Sequence, residues 1–372
     1  MISSMKRYAA FDPPEYVSWK PDPEVLSRYD ETLHKDPDRR KILRALTRED
    51  LLRLYAGLLR ARLHDIALKR WVRQGVLSKA WLGTGEEAVA VGNAQALEKG
   101  DLVGPMIRNA GACHERGMSV AQMLKAYLGT RDQLTRGRDL HTGDPEQGVV
   151  PPISFVASLV PVLAGAALAF KLRKEPHVAL TWVGDGASHT AEFHEGFNLA
   201  AVKRLPLIIV LQNNQVALGT KLSEHQRGGL EDLASAYGVA GTACDGNNVL
   251  DVFAATRQAA SLCRQGRGPV ILTAHTFRMG GHATHDEQEA RSLFPAETFA
   301  LWGKRDPVGC FEAYLTSHGT DSGRNGKIPA STLEKIELDV IREVDTAAEE
   351  ALKSRELHPP RPEEAIGGVT QD

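Results

Sequence analysis

Asp185, flanked by Gly184 and Gly186, follows directly on the apolar run 178–183, and the pair Asn213-Asn214 begins 28 residues further on. A carboxylate ending one strand and a carboxamide ending the next can jointly hold a hard cation, and a cation so held can anchor a diphosphate. Between them, 191–203 reads as a helix, and 207–211, short, branched and wholly apolar, reads as a buried strand. The unit is therefore strand, helix, strand. Such a crossover is right-handed and makes the strands parallel, so both carboxyl ends open on one edge of the sheet. Mg²⁺ prefers six oxygens and is usually held by one or two carboxylates together with phosphate and water oxygens. Asp185, Asn214, a backbone carbonyl near Val216 and two diphosphate oxygens would nearly complete that shell. Gly186 would leave room for phosphate at the backbone, and the helix that follows would offer free amide N–H groups and a positive dipole end.

Two rival readings of this stretch fail on spacing. A dinucleotide fingerprint needs glycine at position 189, which is His189, and a zinc-binding helix needs histidines four apart, whereas His189 and His194 are five apart.

The elements that must position these groups belong to an α/β chain with an open, mostly parallel sheet and helices on both faces. Thr47 to Asp50 opens a long amphipathic helix, with acidic residues at its positive end. Residues 155–170 form an apolar run containing Pro161 and Gly165; it is shorter than the roughly 20 residues a membrane span needs, and reads as a buried helix whose small residues suit a subunit interface. Segment 131–152 reads as a loop in which His141 faces either substrate or solvent. Helices are expected over 230–237 and 249–265, a strand over 270–275, and a mobile charged loop over 282–295. Ser331 to Glu334 forms a capping box opening a helix to about 352, with Ile336, Val340, Val344, Ala347 and Ala351 on one face. The expected division is an N-terminal arm, 1–45, an α/β domain, 46–320, and a C-terminal helix with an extended tail lying on a partner, 321–372.

A net charge of −2 and a pI near 6.7 give no general field for nucleic acid or anionic lipid, so neither nucleic acid nor membrane is expected as a partner. The first residues lack the apolar core of a secretory signal, and a cytoplasmic location is expected. Cys113, Cys244, Cys263 and Cys310 have no metal-ligand spacing and read as buried thiols.

Residues 184–201 through Asn214 resemble the thiamine diphosphate motif in the alpha subunit of 2-oxo acid dehydrogenase complexes. Arg73-Gln74-Gly75, Gly85-Glu86-Glu87-Ala88, Val91-Gly92, Arg116-Gly117 and the segment 278–286 stand in that family's order, and the resemblance covers roughly residues 45 to 320. It implies the thiamine diphosphate-binding fold, with Mg²⁺ held by Asp185, Asn214 and the Val216 carbonyl. It implies cofactor contacts from Ile107, Arg108, Ser154, Val156, Gly184, Asp185, Gly186, Ala187, Asn214 and His282. In that likeness Arg108 takes the diphosphate, Val156 wedges thiamine into its bent form, and His282 is the catalytic residue beside the thiazolium, aiding substrate addition and acyl transfer. This chain departs from the family at Ile107, usually Tyr, at Thr190-Ala191, commonly Glu-Gly, and at Ala283, where mitochondrial homologues carry a phosphorylated Ser. The implied partners are a beta subunit, which supplies a glutamate for the aminopyrimidine in an assembly of two of each chain, and a lipoyl-bearing dihydrolipoyl acyltransferase. The implied substrate is a 2-oxo acid. The Pro151-Pro152 segment and Gln212-Asn213-Asn214 resemble the pyruvate type, which comes first; Gly281-His282-Ala283-Thr284 resembles the branched-chain type, which comes second; acetoin cleavage is third. A non-catalytic assembly subunit is the alternative of a different class.

Overall fold

The computed structural model describes residues 19–317 and 326–364; the start of the expected arm and the end of the expected tail lie outside the described residues. Among the described residues seven strands occur, in the order β1 (Leu102–Gly104), β2 (Ala179–Gly184), β3 (Leu207–Asn213), β4 (Val216–Ala217), β5 (Thr220–Lys221), β6 (Ala240–Asp245) and β7 (Val270–His275). Five of them form one sheet, ordered β1-β2-β3-β7-β6, and every pairing in it is parallel. β4 and β5 form a small antiparallel hairpin just beyond β3.

The central strand is apolar at every position from Leu207 to Leu211 because both its faces are covered. Ile208 and Val210 pack on one side with Val178, Leu180, Val252 and Ala255, while Leu207, Ile209 and Leu211 pack on the other with Leu163, Ala167, Phe193 and Phe197. The helices Leu159–Arg173 and Ala191–Lys203 cover that second face, and the helices Glu87–Ala96 and Val249–Arg264 cover the first. The open, helix-flanked parallel sheet is the expected architecture. β6 was not expected: Ala240-Gly241-Thr242-Ala243 is a half-buried edge with little strand propensity, and it is ordered by its register with β7.

A third core is helical. The helix Arg48–Arg73 starts at Thr47, whose side chain accepts from the Asp50 amide while Asp50 accepts from the Thr47 amide, and it is buried around most of its circumference rather than amphipathic. The helix Ala330–Leu357 lays Val340, Val344, Ala347 and Ala351 against this core, as its spacing predicts. Ser331 does not cap it, because the helix begins one residue earlier, with Pro329 as the capping residue. The expected arm contains the helices Pro23–His34 and Pro37–Arg44, and Arg39 of the second bonds Asp251, Thr242 and the Ala243 carbonyl of its own chain. The start of the tail likewise lies on its own chain, where the Arg131 amide donates to the His358 carbonyl at 2.8 Å. Among the described residues no helix is long and apolar enough to cross a membrane.

Candidate cation and diphosphate site

Register carries the site. Gly184 at the end of β2 lies opposite Gln212 of β3, so Asp185 and Asn214 leave adjacent strands on the same edge of the sheet. Both side chains are buried. Asp185 Oδ1 accepts from the Gly186 amide at 2.8 Å, and Oδ2 has no hydrogen-bond partner among the described residues. Burial pushes the Asp185 carboxyl above its usual range, against the Gly186 hydrogen bond and the nearby His225 and Arg108. Buried polar atoms rarely stay unpaired, because leaving one so costs about 1–3 kcal/mol. A divalent cation would satisfy Oδ2 and favour the ionised carboxylate.

Asn214 is oriented by Glu86. Its Nδ2 donates to Glu86 Oε1 at 2.8 Å, and Gln212 Nε2 donates to the same oxygen at 2.5 Å. Gln212 Oε1 accepts from Asn109 Nδ2 at 3.2 Å, and Asn109 Oδ1 accepts from the Met106 amide at 3.1 Å. The loop carrying Ile107 and Arg108 is thereby tied to the end of β3. Arg108 Nε stands 3.5 Å from Glu86 Oε2, and neither atom has a hydrogen-bond partner. With the amide of Asn214 committed to Glu86, its Oδ1 is the oxygen left for a cation, its one contact being a long 3.4 Å approach of the Val216 amide. Glu86 and Gln212 are organising residues to which the sequence reading assigned no role in the site.

The hairpin β4–β5 closes one wall. Gln215 and Leu218 both take positive φ, 74° and 53°, turning the chain sharply after Asn214, and Arg278 donates to the Leu218 carbonyl at 2.7 Å. The hairpin corrects the expectation for Gly186. A Cβ there would lie 2.3 Å from the Ala217 Cβ, so this glycine admits the hairpin rather than a phosphate. Open space lies instead beside Gly184. The helix Ala191–Lys203 does not start at the site either, because a short turn, Gly186–His189, which includes Ala187, intervenes and Thr190 Oγ1 caps the Phe193 amide. Thr190 at the family's Glu position is thus a helix cap.

His282 comes from the segment 278–293, which is anchored rather than free. The His282 and Ala283 amides both donate to the Asp286 carboxylate, at 3.1 and 2.9 Å. Thr284 exchanges hydrogen bonds with Ala80, Lys69 holds Glu287 at 2.7 Å, and residues Glu287–Leu293 form a helix. The expected loop thus contains a short helix and these anchoring contacts. Burial, then the charges of Arg108 and Arg278, push the His282 imidazole down to about 4, so the ring is neutral at physiological pH and stands within the electrostatic reach of both arginines. Ile107 is half-buried on the Arg108 loop.

Ser154 and Val156 make no hydrogen bond or ion pair with this group among the described residues. They sit on the exposed stretch before the helix Leu159–Arg173, where Phe155 is 77% and Val156 58% exposed. Ser154 Oγ faces His141 Nε2 at 3.3 Å, and His141 Nδ1 pairs with Asp139 at 2.8 Å, which gives His141 a defined orientation. No hydrogen bond among the described residues joins Ser154 to the Asp185 group.

What converges is a buried carboxylate oxygen without a partner, a carboxamide oriented from behind, a sequestered guanidinium and a neutral imidazole. Among the described residues no cluster of three or more His, Cys, Asp or Glu side chains could hold a metal by itself. A cation here would therefore draw on more than such side chains: Asn214, backbone and oxygens of its ligand can contribute, as they do where Mg²⁺ binds beside phosphates.

The family model described as dehydrogenase E1 component matches residues 57–360. The chain belongs to the dehydrogenase E1 component family. Among similar proteins, the mitochondrial 2-oxoisovalerate dehydrogenase subunit alpha of Caenorhabditis elegans is 34% identical over 72% of this chain and 63% of its own length. The human protein of that name is 32% identical over 83% of this chain and 69% of its own length. The pyruvate dehydrogenase E1 component subunit alpha of Acholeplasma laidlawii is 31% identical over 81% of this chain and 83% of its own. The chain thus spans somewhat under two thirds of the nematode protein's length. These relatives are alpha subunits, as the resemblance implies, and the E1 family carries thiamine diphosphate chemistry. The 2-oxoisovalerate proteins are slightly more similar to this chain than the pyruvate protein is, which runs against the order drawn from the Pro151-Pro152 segment.

Proposed function

We propose that this chain is the alpha subunit of a thiamine diphosphate-dependent 2-oxo acid dehydrogenase, decarboxylating a branched-chain 2-oxo acid and passing the acyl group to a lipoyl-bearing acyltransferase. The observation that carries the reading is the pairing of an unsatisfied, buried Asp185 Oδ2 with the oriented Asn214 at one sheet edge. Asp185, Asn214 and the Val216 carbonyl would hold Mg²⁺. Arg108, whose Nε has no hydrogen-bond partner, would meet the diphosphate with its forked donors.

Thiamine diphosphate, when bound, supplies a carbanion for addition to the keto carbon and an electron sink for the loss of CO₂. The chain's own residues position and shield. Glu86 keeps the Asn214 amide turned away from the cation. Neutral His282 can accept or donate a proton at its ring, and Asp286 fixes the backbone that presents it. Arg278 is buried and held to about 10 by burial and by Arg108, so it stays charged as a second cation near the same pocket.

A beta subunit completes the reading. Ile153, Phe155 and Val156 before the helix Leu159–Arg173, with Val162 and Leu172 on it and Leu199 and Val202 on its neighbour, expose apolar side chains that an alpha/beta contact would cover. Co-expression with a beta subunit and measurement of CO₂ release tests the proposal: 2-oxoisovalerate should be turned over faster than pyruvate, and release from neither acid by a stable assembly would refute it.

A further inference from the structure

His225 stands at the end of the short helix Leu222–His225, directly after the hairpin that carries Val216. Its side chain is 14% exposed, yet both ring nitrogens are buried and neither has a hydrogen-bond partner among the described residues. Nε2 lies 4.0 Å from Asp185 Oδ1. The His189 ring meets the His225 ring edge-on, with centroids 5.4 Å apart, and so limits its rotation. Ala217 packed on Gly186 locks the hairpin to the turn that follows Asp185, fixing the ring beside the carboxylate. An imidazole with two buried, unpaired nitrogens is costly unless it takes a partner when the site fills.

Two donors bound at about 2.1 Å to one octahedral ion stand roughly 3 Å apart when adjacent and 4.2 Å apart when opposite. His225 Nε2 and Asp185 Oδ1, 4.0 Å apart, stand near the separation of opposite donors, so a cation between them would take Oδ1 in addition to the unpaired Oδ2. Carboxylate, carboxamide and carbonyl oxygens suit Mg²⁺, whereas imidazole nitrogen favours first-row transition ions, increasingly from Mn²⁺ to Co²⁺.

We propose that His225 Nε2 is a ligand of the cation held by Asp185 and Asn214, and that this chain consequently prefers Mn²⁺ or Co²⁺ to Mg²⁺ at its diphosphate site. The proposal rests on the thiamine diphosphate reading above. His189 supports the ring and is not itself a ligand.

The test uses the intact alpha/beta assembly labelled with ¹⁵N-histidine and loaded with Mn²⁺ and thiamine diphosphate. Pulsed electron paramagnetic resonance should show a directly bound ¹⁵N coupling. In His225→Gln that coupling should vanish while one Mn²⁺ per alpha chain is retained, and the Mn²⁺-over-Mg²⁺ preference measured by calorimetric competition should fall by about tenfold. A wild-type assembly that binds one Mn²⁺ without histidine coupling, or a coupling that survives in His225→Gln, overturns the assignment. Asp185→Asn separates this failure from that of the broader reading. Retention of one-to-one Mn²⁺ in that variant would refute the cation site altogether, whereas its loss there, with no coupling in the wild type, would remove His225 alone.

Discussion

Lys69, near the C-terminal end of the helix Arg48–Arg73, holds both carboxylate oxygens of Glu287, at 2.7 and 2.8 Å, although the two residues are 218 positions apart. The ammonium is almost wholly buried, so the pair ties the segment bearing His282 to the helical core. Breaking one half of a buried pair costs about 3 kcal/mol, because the other charge is left without a partner. Lys69→Met should therefore speed amide exchange across 282–293 by roughly two orders of magnitude, with little change in the sheet. Hydrogen-exchange mass spectrometry of both proteins measures this directly.

His282 reports on its arginines. Burial and the positive charges of Arg108 and Arg278 together hold its ring at about 4. Arg108→Gln removes one of the charges, so the ring should titrate higher, moving toward the ordinary histidine value. Diphosphate binding, which neutralises Arg108, should move it the same way. An NMR titration of His282 in the wild type, the variant and the diphosphate-saturated protein checks the sign; a value that falls or stays fixed in all three would break the link.

His64 and His114 are buried together, with His114 Nε2 3.3 Å from His64 Nδ1 and His114 Nδ1 against the Met118 carbonyl. Burial pushes His114 down to about 4 and His64 well below its usual range. The unfolded chain takes up these protons from about pH 6.5 downward, while folded His114 does so only near 4 and folded His64 well below its usual range, so the unfolded state binds more protons in between. Stability should thus fall as the pH drops through that window. His114 alone should account for about 2 kcal/mol of loss at pH 5 relative to neutrality. Urea unfolding at both pH values, repeated on His114→Gln, should show the difference shrink by that amount.

The parts of this fold that were legible in the sequence are those whose causes are local. β2, β3 and β7 read as strands because burial on both faces demands unbroken apolar runs, and the crossover Ala191–Lys203 matches its expected limits. β6 was illegible because an edge of Ala, Gly and Thr is held by its partner strand and not by its own composition. The same division runs through the site. Asp185 and Asn214 could be placed from strand ends alone, but the role of Glu86 could not, since it reaches Asn214 from 128 residues away. The segment 282–295 looked like a solvated charge run because its anchors, Lys69 and Ala80, lie some two hundred positions upstream. Gly186 read as a phosphate platform because nothing local announces that Ala217 folds back upon it.

Asp185 carries the account, and its carboxylate serves the empty fold poorly: it is buried, its Oδ2 has no partner, and burial holds its pKa up. Asp185→Asn should accordingly leave the cofactor-free protein as stable as the wild type, or slightly more so, while removing the charge a divalent ion needs. The decisive measurement is calorimetric titration of the alpha/beta assembly with thiamine diphosphate in the presence and absence of divalent metal. Metal-dependent binding at one site per alpha chain in the wild type, lost in a folded Asp185→Asn assembly, is the predicted result; equal binding by the two proteins, or binding that ignores the metal, would contradict it.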